Sequence, residues 1–136
     1  MTVFLDTSAV LALHVESPSR RTVTEVLEHD RRGPACVSAL ALAEALAAIP
    51  RLTDEEILRS DLEDALRLQW DRYATVPIDQ RCLDRAAALM RDQPVRLADA
   101  LHLAAADRLP RPVTFVTFDA AQIPVALSLG FDVVSS

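Results

Sequence analysis

The chain has 136 residues and a formal net charge of −6; 51% of its residues are hydrophobic and only 4% are aromatic. This balance is typical of one folded globular domain, residues 1–136, and the scarcity of aromatics favours helices packed on a sheet over an aromatic-rich barrel or a base-stacking platform. The negative charge disfavours a broad basic face for nucleic acid, although metal ions bound to clustered acids would offset part of it.

The sequence shows neither a targeting signal nor a cysteine pattern of the kind that binds zinc or forms disulfides. No basic leader precedes the first apolar residues, and the longest apolar run, 39–49, is too short to span a bilayer. Cys36 and Cys82 are isolated, which indicates buried thiols rather than a zinc module or a disulfide framework. We therefore expect a cytoplasmic protein.

The predicted elements alternate between short apolar strands and helices. In chain order they are a strand at 3–5, a helix to about residue 14, a helix from 17 to about Arg32, a strand at 35–37, a helix at 39–49, a helix at 53–73, a strand at 74–77, a helix at 79–91, a helix at 97–109, a strand at 113–117, a helix at 120–129 and a strand at 133–134. Strands separated by helices imply a parallel sheet covered on both faces. The predicted class is α/β, with three α/β/α layers around a parallel sheet of four to five strands.

Several local signals set the predicted helix ends. Ser38 is expected to cap the helix 39–49, and Pro50 is expected to end it. The spacing within Thr53–Glu56 matches a capping box. Asp79 is expected to cap its helix, and Gly130 to terminate the last one.

Two aspartates follow predicted strands directly. Asp6 comes after the strand 3–5, and Asp119 follows the strand 113–117. Ligands of open parallel sheets bind outside the carboxyl ends of the strands, where the strand order reverses. The two carboxylates meet there if the strands are neighbours, which the residues alone leave open.

Two further acids interrupt apolar helices. Glu44 is the only polar residue between Ala39 and Ile49, and Asp99 lies within a run of alanine and leucine. A helix that is apolar nearly all round is buried, and a buried carboxylate needs a cation or strong donors. Since the chain contains no lysine, that partner is an arginine, a backbone donor or a metal ion.

Each acid also has a purely structural interpretation. Asp6 and Asp119 can cap the helices that follow them. Asp99 can pair with an arginine such as Arg96, whereas the sequence near Glu44 offers no partner. The acidic run 54–64 is interpreted as a solvated helix face without chemistry.

Four segments together resemble a known family. Leu5–Ala9, 37–44, 98–104 and 116–119 occur in the order found in PIN domains, and they are most similar to the VapC-type toxins of toxin–antitoxin pairs. The similarity extends over the whole chain. It departs from the family in having few basic residues after the glutamate helix, where only Arg51 and Arg59 are near.

The resemblance implies a composition for the site. The first and fourth strands would be adjacent, and one acidic pocket that binds Mg²⁺ or Mn²⁺ would contain Asp6, Glu44, Asp99 and Asp119. Asp6 and Asp99 would be direct metal ligands, and Asp119 and Glu44 would contribute directly or through water. The hydroxyls of Thr7, Ser8 and Thr117 would orient these groups. His102 shares a helix face with Asp99 and is interpreted as a packed, orienting histidine, because Mg²⁺ prefers oxygen ligands.

The resemblance also implies an activity and partners. The expected reaction is hydrolysis of RNA phosphodiesters by metal-activated water. A cognate antitoxin would restrain this activity, with an antitoxin arginine among the carboxylates, and the protein would form a homodimer or a hetero-oligomer with the antitoxin.

Other functions fit the residues less well. With only Gly33 and Gly130, the chain has neither a P-loop nor a dinucleotide-binding motif. A receiver domain would need a lysine, and a haloacid-dehalogenase-type phosphatase would need an aspartate where Ser8 stands. The alternative that remains is a degenerate PIN domain that binds RNA or protein without catalysis.

Overall fold

A parallel sheet forms the centre of the molecule, as the alternating pattern predicts. The computed structural model describes residues 1–29 and 33–135, and within them the sheet has five strands in the order β3-β2-β1-β4-β5. The strands are β1 (Thr2–Leu5), β2 (Cys36–Ser38), β3 (Ala74–Val76), β4 (Val113–Val116) and β5 (Asp132–Val134). All pairings are parallel, and β1 lies between β2 and β4. The predicted α/β class and strand number are confirmed.

Helices connect successive strands. They are α1 (Thr7–Ala12), α2 (Pro18–His29), α3 (Leu40–Leu52), α4 (Glu56–Trp70), α5 (Gln80–Asp92), α6 (Leu97–Asp107) and α7 (Ile123–Ser128), with a 3₁₀ turn at Ala120–Gln122. The predicted end of α2 at Arg32 lies outside the described residues. Among the helices in residues 1–29 and 33–135, none has the length and apolar character needed to cross a membrane.

Side-chain alternation along β1 divides the core into two layers. Val3 and Leu5 pack with α1, α2, α3 and α4 on one face of the sheet, whereas Phe4 packs with α5, α6 and α7 on the other. Successive side chains of a strand point to opposite faces, so a wholly apolar strand requires helices on both sides. The result is the predicted three-layer arrangement.

An aromatic stack anchors the layer beneath α5–α7. The ring of Phe115 lies 5.4 Å from that of Phe4 and 5.7 Å from that of Phe131, with interplanar angles of 14° and 8°. Phe4 and Phe115 are fully buried neighbours on β1 and β4. This stack joins the two strands whose ends carry the acids.

The structure corrects two predictions around α3. Ser38 is the last residue of β2 rather than a helix cap, and the capping position belongs to Ala39, which makes no side-chain cap bond. Pro50 lies inside α3, which continues to Leu52. A proline loses its own N–H bond and crowds the carbonyl four residues earlier, and α3 continues for only two residues beyond Pro50.

Two further helix starts differ from the prediction. Thr53 Oγ1 accepts from the backbone N–H of Glu55 at 3.1 Å, so the expected capping box with Glu56 does not form. The predicted helix 120–129 is divided into the 3₁₀ turn and α7. Gly130 then has a φ of 83°, the left-handed conformation expected of a residue that ends a helix.

We expect Phe115→Ala to lower the free energy of unfolding by about 3–5 kcal/mol, because it removes the middle ring of the buried stack. Urea unfolding followed by circular dichroism measures this loss. Leu127→Ala is the control, since Leu127 is 57% exposed on α7, and its expected effect is below about 0.5 kcal/mol. Equal losses for the two variants would contradict the role assigned to the stack.

Candidate active site

The candidate site lies at the carboxyl ends of β1 and β4. Leu5 is paired with Val116, and the backbone N–H of Asp6 donates to the Val116 carbonyl at 3.2 Å. Asp6 therefore leaves β1 beside the point where Thr117 leaves β4. This adjacency is the contact that the residues alone left open, and it is located where the strand order reverses about β1.

Asp6 is buried and surrounded by donors. It is 1% exposed, and its Oδ1 accepts from Ser8 Oγ at 2.6 Å and from the Ala9 N–H at 3.0 Å. Its Oδ2 accepts from Thr117 Oγ1 at 2.5 Å and from Gln122 Nε2 at 2.9 Å. Burial raises the pKa of Asp6, while the hydrogen bonds from Ser8, Thr117 and Ala9 oppose the rise. Asp6 thus caps α1 with one oxygen and faces the site with the other.

The hydroxyls of Ser8 and Thr117 connect the strand ends. Ser8 Oγ donates to Asp6 and accepts from the Phe118 N–H at 2.9 Å. Thr117 Oγ1 donates to Asp6 and accepts from the Asp119 N–H at 3.0 Å. Each hydroxyl uses its donor and acceptor capacity, which fixes the orientation of the Asp6 carboxylate.

Asp99 accepts a hydrogen bond from the same nitrogen atom as Asp6 does. It lies in the first turn of α6, is 7% exposed, and its Oδ1 accepts from Gln122 Nε2 at 3.2 Å. The same Nε2 bonds Asp6, so the two carboxylates converge on one amide. Burial raises the pKa of Asp99, the charge of Asp119 raises it further, and the Arg96 guanidinium opposes both.

Arg96 joins Asp99 to Asp119. Its Nε lies 3.5 Å from Asp99 Oδ2, and its Nη2 lies 3.7 Å from Asp119 Oδ2. Asp119 also accepts from the Ala121 N–H at 3.0 Å, so it caps the 3₁₀ turn. Asp6 and Asp119 thus act as caps and Asp99 pairs with Arg96, as their structural interpretations predict. These contacts form at the place where the carboxylates converge.

Glu44 belongs to a second network beside the aspartates. Its Oε1 accepts from Thr7 Oγ1 at 2.6 Å and lies 2.5 Å from His102 Nε2. His102 Nδ1 lies 2.9 Å from Ser38 Oγ, so the ring is held between Ser38 and Glu44. The hydrogen bond from His102 is the largest cause of a lowered pKa of Glu44. The sequence near Glu44 offers no partner, and in the structure its partners come from other elements.

The network of the aspartates and the network of Glu44 are linked by residues that are close together in the chain. Thr7 follows Asp6 directly, and His102 lies one helical turn after Asp99 on α6. The charges of His102 and Arg96 also lower the pKa of Glu44. The sequence did not predict a role for Gln122 or the contact between Ser38 and His102. The only signal for Gln122 was that it is the one polar residue in the apolar run 120–127.

The donor set fits a hard divalent cation. Within residues 1–29 and 33–135, no three acid, histidine or cysteine side chains already stand close enough to enclose a metal ion. Carboxylate oxygens are nevertheless the ligands that Mg²⁺ and Mn²⁺ prefer. The groups between the aspartates are the Arg96 guanidinium and the Gln122 amide, both of which present N–H donors to them. Arg96 and Gln122 thus supply the positive charge and the N–H donors that face these carboxylates.

We expect Asp99→Asn to raise the free energy of unfolding of the EDTA-treated protein at about pH 7 by about 0.5–2 kcal/mol, as often follows when a costly functional group is removed. Because the folded-state pKa of Asp99 is raised, the folded protein binds more protons than the unfolded chain just above the ordinary aspartate range. Wild-type stability therefore falls as the pH rises through that window.

The gain of the variant should therefore shrink between about pH 7 and about pH 4, because the raised pKa lets wild-type Asp99 take up its proton at a higher pH than an ordinary aspartate does. Urea unfolding at both pH values measures it. Asp61→Asn on the exposed face of α4 is the matched control and should show no such trend. A variant less stable than wild type at neutral pH would contradict the electrostatic account.

Comparison with known proteins identifies the family. Residues 3–127 match the family model described as PIN domain. No curated protein matches the chain significantly in sequence.

Solved structures share the fold at low sequence identity. A toxin–antitoxin complex from Klebsiella pneumoniae matches with 18% identity and a TM-score of 0.72 over 99% of this chain and 97% of that one. FitAcB from Neisseria gonorrhoeae matches with 17% identity and a TM-score of 0.73 over 98% and 97%. Mycobacterium tuberculosis VapC20, described as a sarcin-ricin loop cleaving toxin, matches with 13% identity and a TM-score of 0.70 over 91% and 95%. Since the family model spans most of the sequence, the chain belongs to the PIN domain family.

Proposed function

We propose that the chain is a metal-dependent endoribonuclease that acts as the toxin of a toxin–antitoxin pair. The observation that carries this proposal is the convergence of Asp6 and Asp99, buried and remote in sequence, on Gln122 Nε2. Carboxylates are gathered at such cost where their charge serves a function. Family membership supports nuclease chemistry over other uses of an acidic site.

The proposed metal ligands are Asp6 and Asp99, with Asp119 and Glu44 contributing directly or through water. A bound Mg²⁺ or Mn²⁺ would supply a Lewis acid that offsets the negative charge, activates water and stabilises the leaving oxygen of the phosphodiester. All four residues offer oxygen ligands, and Asp119 and Glu44 have side chains that are 31% and 34% exposed at the mouth of the site. Access to solvent at this mouth is what a polymeric substrate requires.

Other residues of the site would prepare it for the reaction. Ser8 and Thr117 hold the Asp6 carboxylate in one orientation. Thr7 and His102 hold Glu44, whose lowered pKa keeps it ionised at neutral pH. Arg96 has a side chain that is 81% exposed, so its planar guanidinium is accessible to a phosphate at the mouth of the site.

The proposed protein partner is an antitoxin. Structures similar in fold to this chain include toxin–antitoxin complexes, and an unrestrained ribonuclease would harm its host. Around the turn between α3 and α4, Leu52, Ile57 and Leu58 are 45%, 70% and 46% exposed. Such neighbouring apolar side chains fit an apolar segment of a partner.

We expect Asp6→Asn and Asp99→Asn each to lower the rate of RNA cleavage by at least about 100-fold, because each removes a charged ligand. The assay follows a defined RNA with purified protein in Mg²⁺, and excess EDTA should abolish the wild-type reaction. Asp61→Asn, the same chemical change on the exposed face of α4, should leave the rate unchanged.

Full activity of either site variant, or undiminished cleavage in EDTA, would refute the proposed mechanism. The alternative is a degenerate PIN domain that binds RNA or protein. A divalent-metal titration separates the two, because a binding module has no need for a cation at the carboxylates.

Induced expression of the wild-type chain alone should arrest growth of the host, whereas Asp6→Asn should not, because the variant lacks cleavage. Sequencing of RNA ends from the two cultures measures which transcripts are cut. Unimpaired growth with abundant active wild-type protein would contradict the toxin role while leaving the nuclease assignment intact.

A further inference from the structure

Gln122 occupies an unusual position for an uncharged side chain. It ends the 3₁₀ turn Ala120–Gln122, is 2% exposed, and donates from Nε2 to Asp6 at 2.9 Å and to Asp99 at 3.2 Å. Its other amide atom, Oε1, is buried and has no hydrogen-bond partner among the residues that the structure describes. One end of the amide is therefore doubly engaged and the other is unused.

The charge of the neighbours explains this orientation. With two carboxylates in front of it, the amide presents N–H groups, because a carbonyl oxygen in that place would be repelled by both. The cost is a buried acceptor left without a donor. The orientation is thus set by the negative charge of Asp6 and Asp99.

A divalent cation would reverse that preference. Bound between the carboxylates, it would repel the N–H groups and attract a carbonyl oxygen. The terminal torsion of glutamine is soft and roughly two-fold, so half a turn exchanges nitrogen and oxygen within nearly the same volume. Amide oxygens are hard ligands of the kind that Mg²⁺ and Mn²⁺ accept.

We infer that Gln122 is a neutral metal ligand, which turns its amide on metal binding so that Oε1 faces the cation held by Asp6 and Asp99. The inference rests on the proposed function, since it requires a cation at those carboxylates. In this structure Nε2 lies between the two carboxylates and donates to both. The side chain would therefore stabilise both states of the site with opposite ends of one group.

Calorimetric titration of the full chain with Mn²⁺ tests this ligand role. Gln122→Leu removes the oxygen and should weaken Mn²⁺ affinity by about 10-fold or more, and Gln122→Glu supplies a charged oxygen and should tighten it by about 10-fold. Gln80→Leu is the matched control, because Gln80 also donates to an aspartate, Asp84, but on the exposed surface of α5. It should bind Mn²⁺ like wild type.

Nuclear magnetic resonance of the wild type tests the rotation without any substitution. The side-chain amide protons of Gln122, assigned through the backbone, should be protected from exchange in EDTA. On saturation with Mg²⁺ they should shift and lose that protection, because they leave their carboxylate acceptors.

The outcomes separate this inference from the proposed function. Unchanged or tighter Mn²⁺ binding by Gln122→Leu, or amide signals unaffected by Mg²⁺ saturation, would overturn the ligand role of Gln122 alone. Failure of the wild type to bind Mn²⁺ would overturn the metal-dependent mechanism as well. If Gln122→Leu does not fold, as judged by circular dichroism, Gln122→Glu and the wild-type spectra still decide.

Discussion

The cost of burying two carboxylates is the constraint on which the geometry of this site depends. Burial raises the pKa of both Asp6 and Asp99, and the charge of Asp119 raises the pKa of Asp99 further. The structure compensates with donors from four separate segments of the chain. They are Ser8, Arg96, Thr117 and Gln122. Two adjacent strands and the aromatic stack beneath them keep these donors in place.

The acids of the site fall into two electrostatic kinds. The pKa of Asp6 and Asp99 is raised, chiefly by burial, whereas the pKa of Glu44 is lowered, chiefly by its hydrogen bond with His102. A cation is needed most by the buried pair, and Glu44 stays ionised without one. Environments that push similar groups apart in this way are a usual means of dividing tasks within one site.

The sequence was sufficient to predict the layers of the fold and to identify the acids, but not to predict the contacts between the acids and their partners. Apolar strands alternating with helices predicted the parallel sheet, and Asp6 and Asp119 stood out because they follow strands. The partners of Glu44 could not be read, since His102 reaches it from another helix. Ser38 was predicted to cap α3, because a local pattern cannot show its contact with the distant His102. The role of Gln122 could not be predicted, because it depends on where the 3₁₀ turn packs.

The hydrogen bond between Asp6 and Thr117 joins residues 111 positions apart. Asp6, Glu44 and Asp99 all precede β4 in the chain, so they are incorporated before the strand that gathers them. A nascent chain, or a fragment truncated ahead of Val113, therefore carries most of the charged groups without an assembled centre. Completion of the site therefore waits for β4 and the residues that follow it.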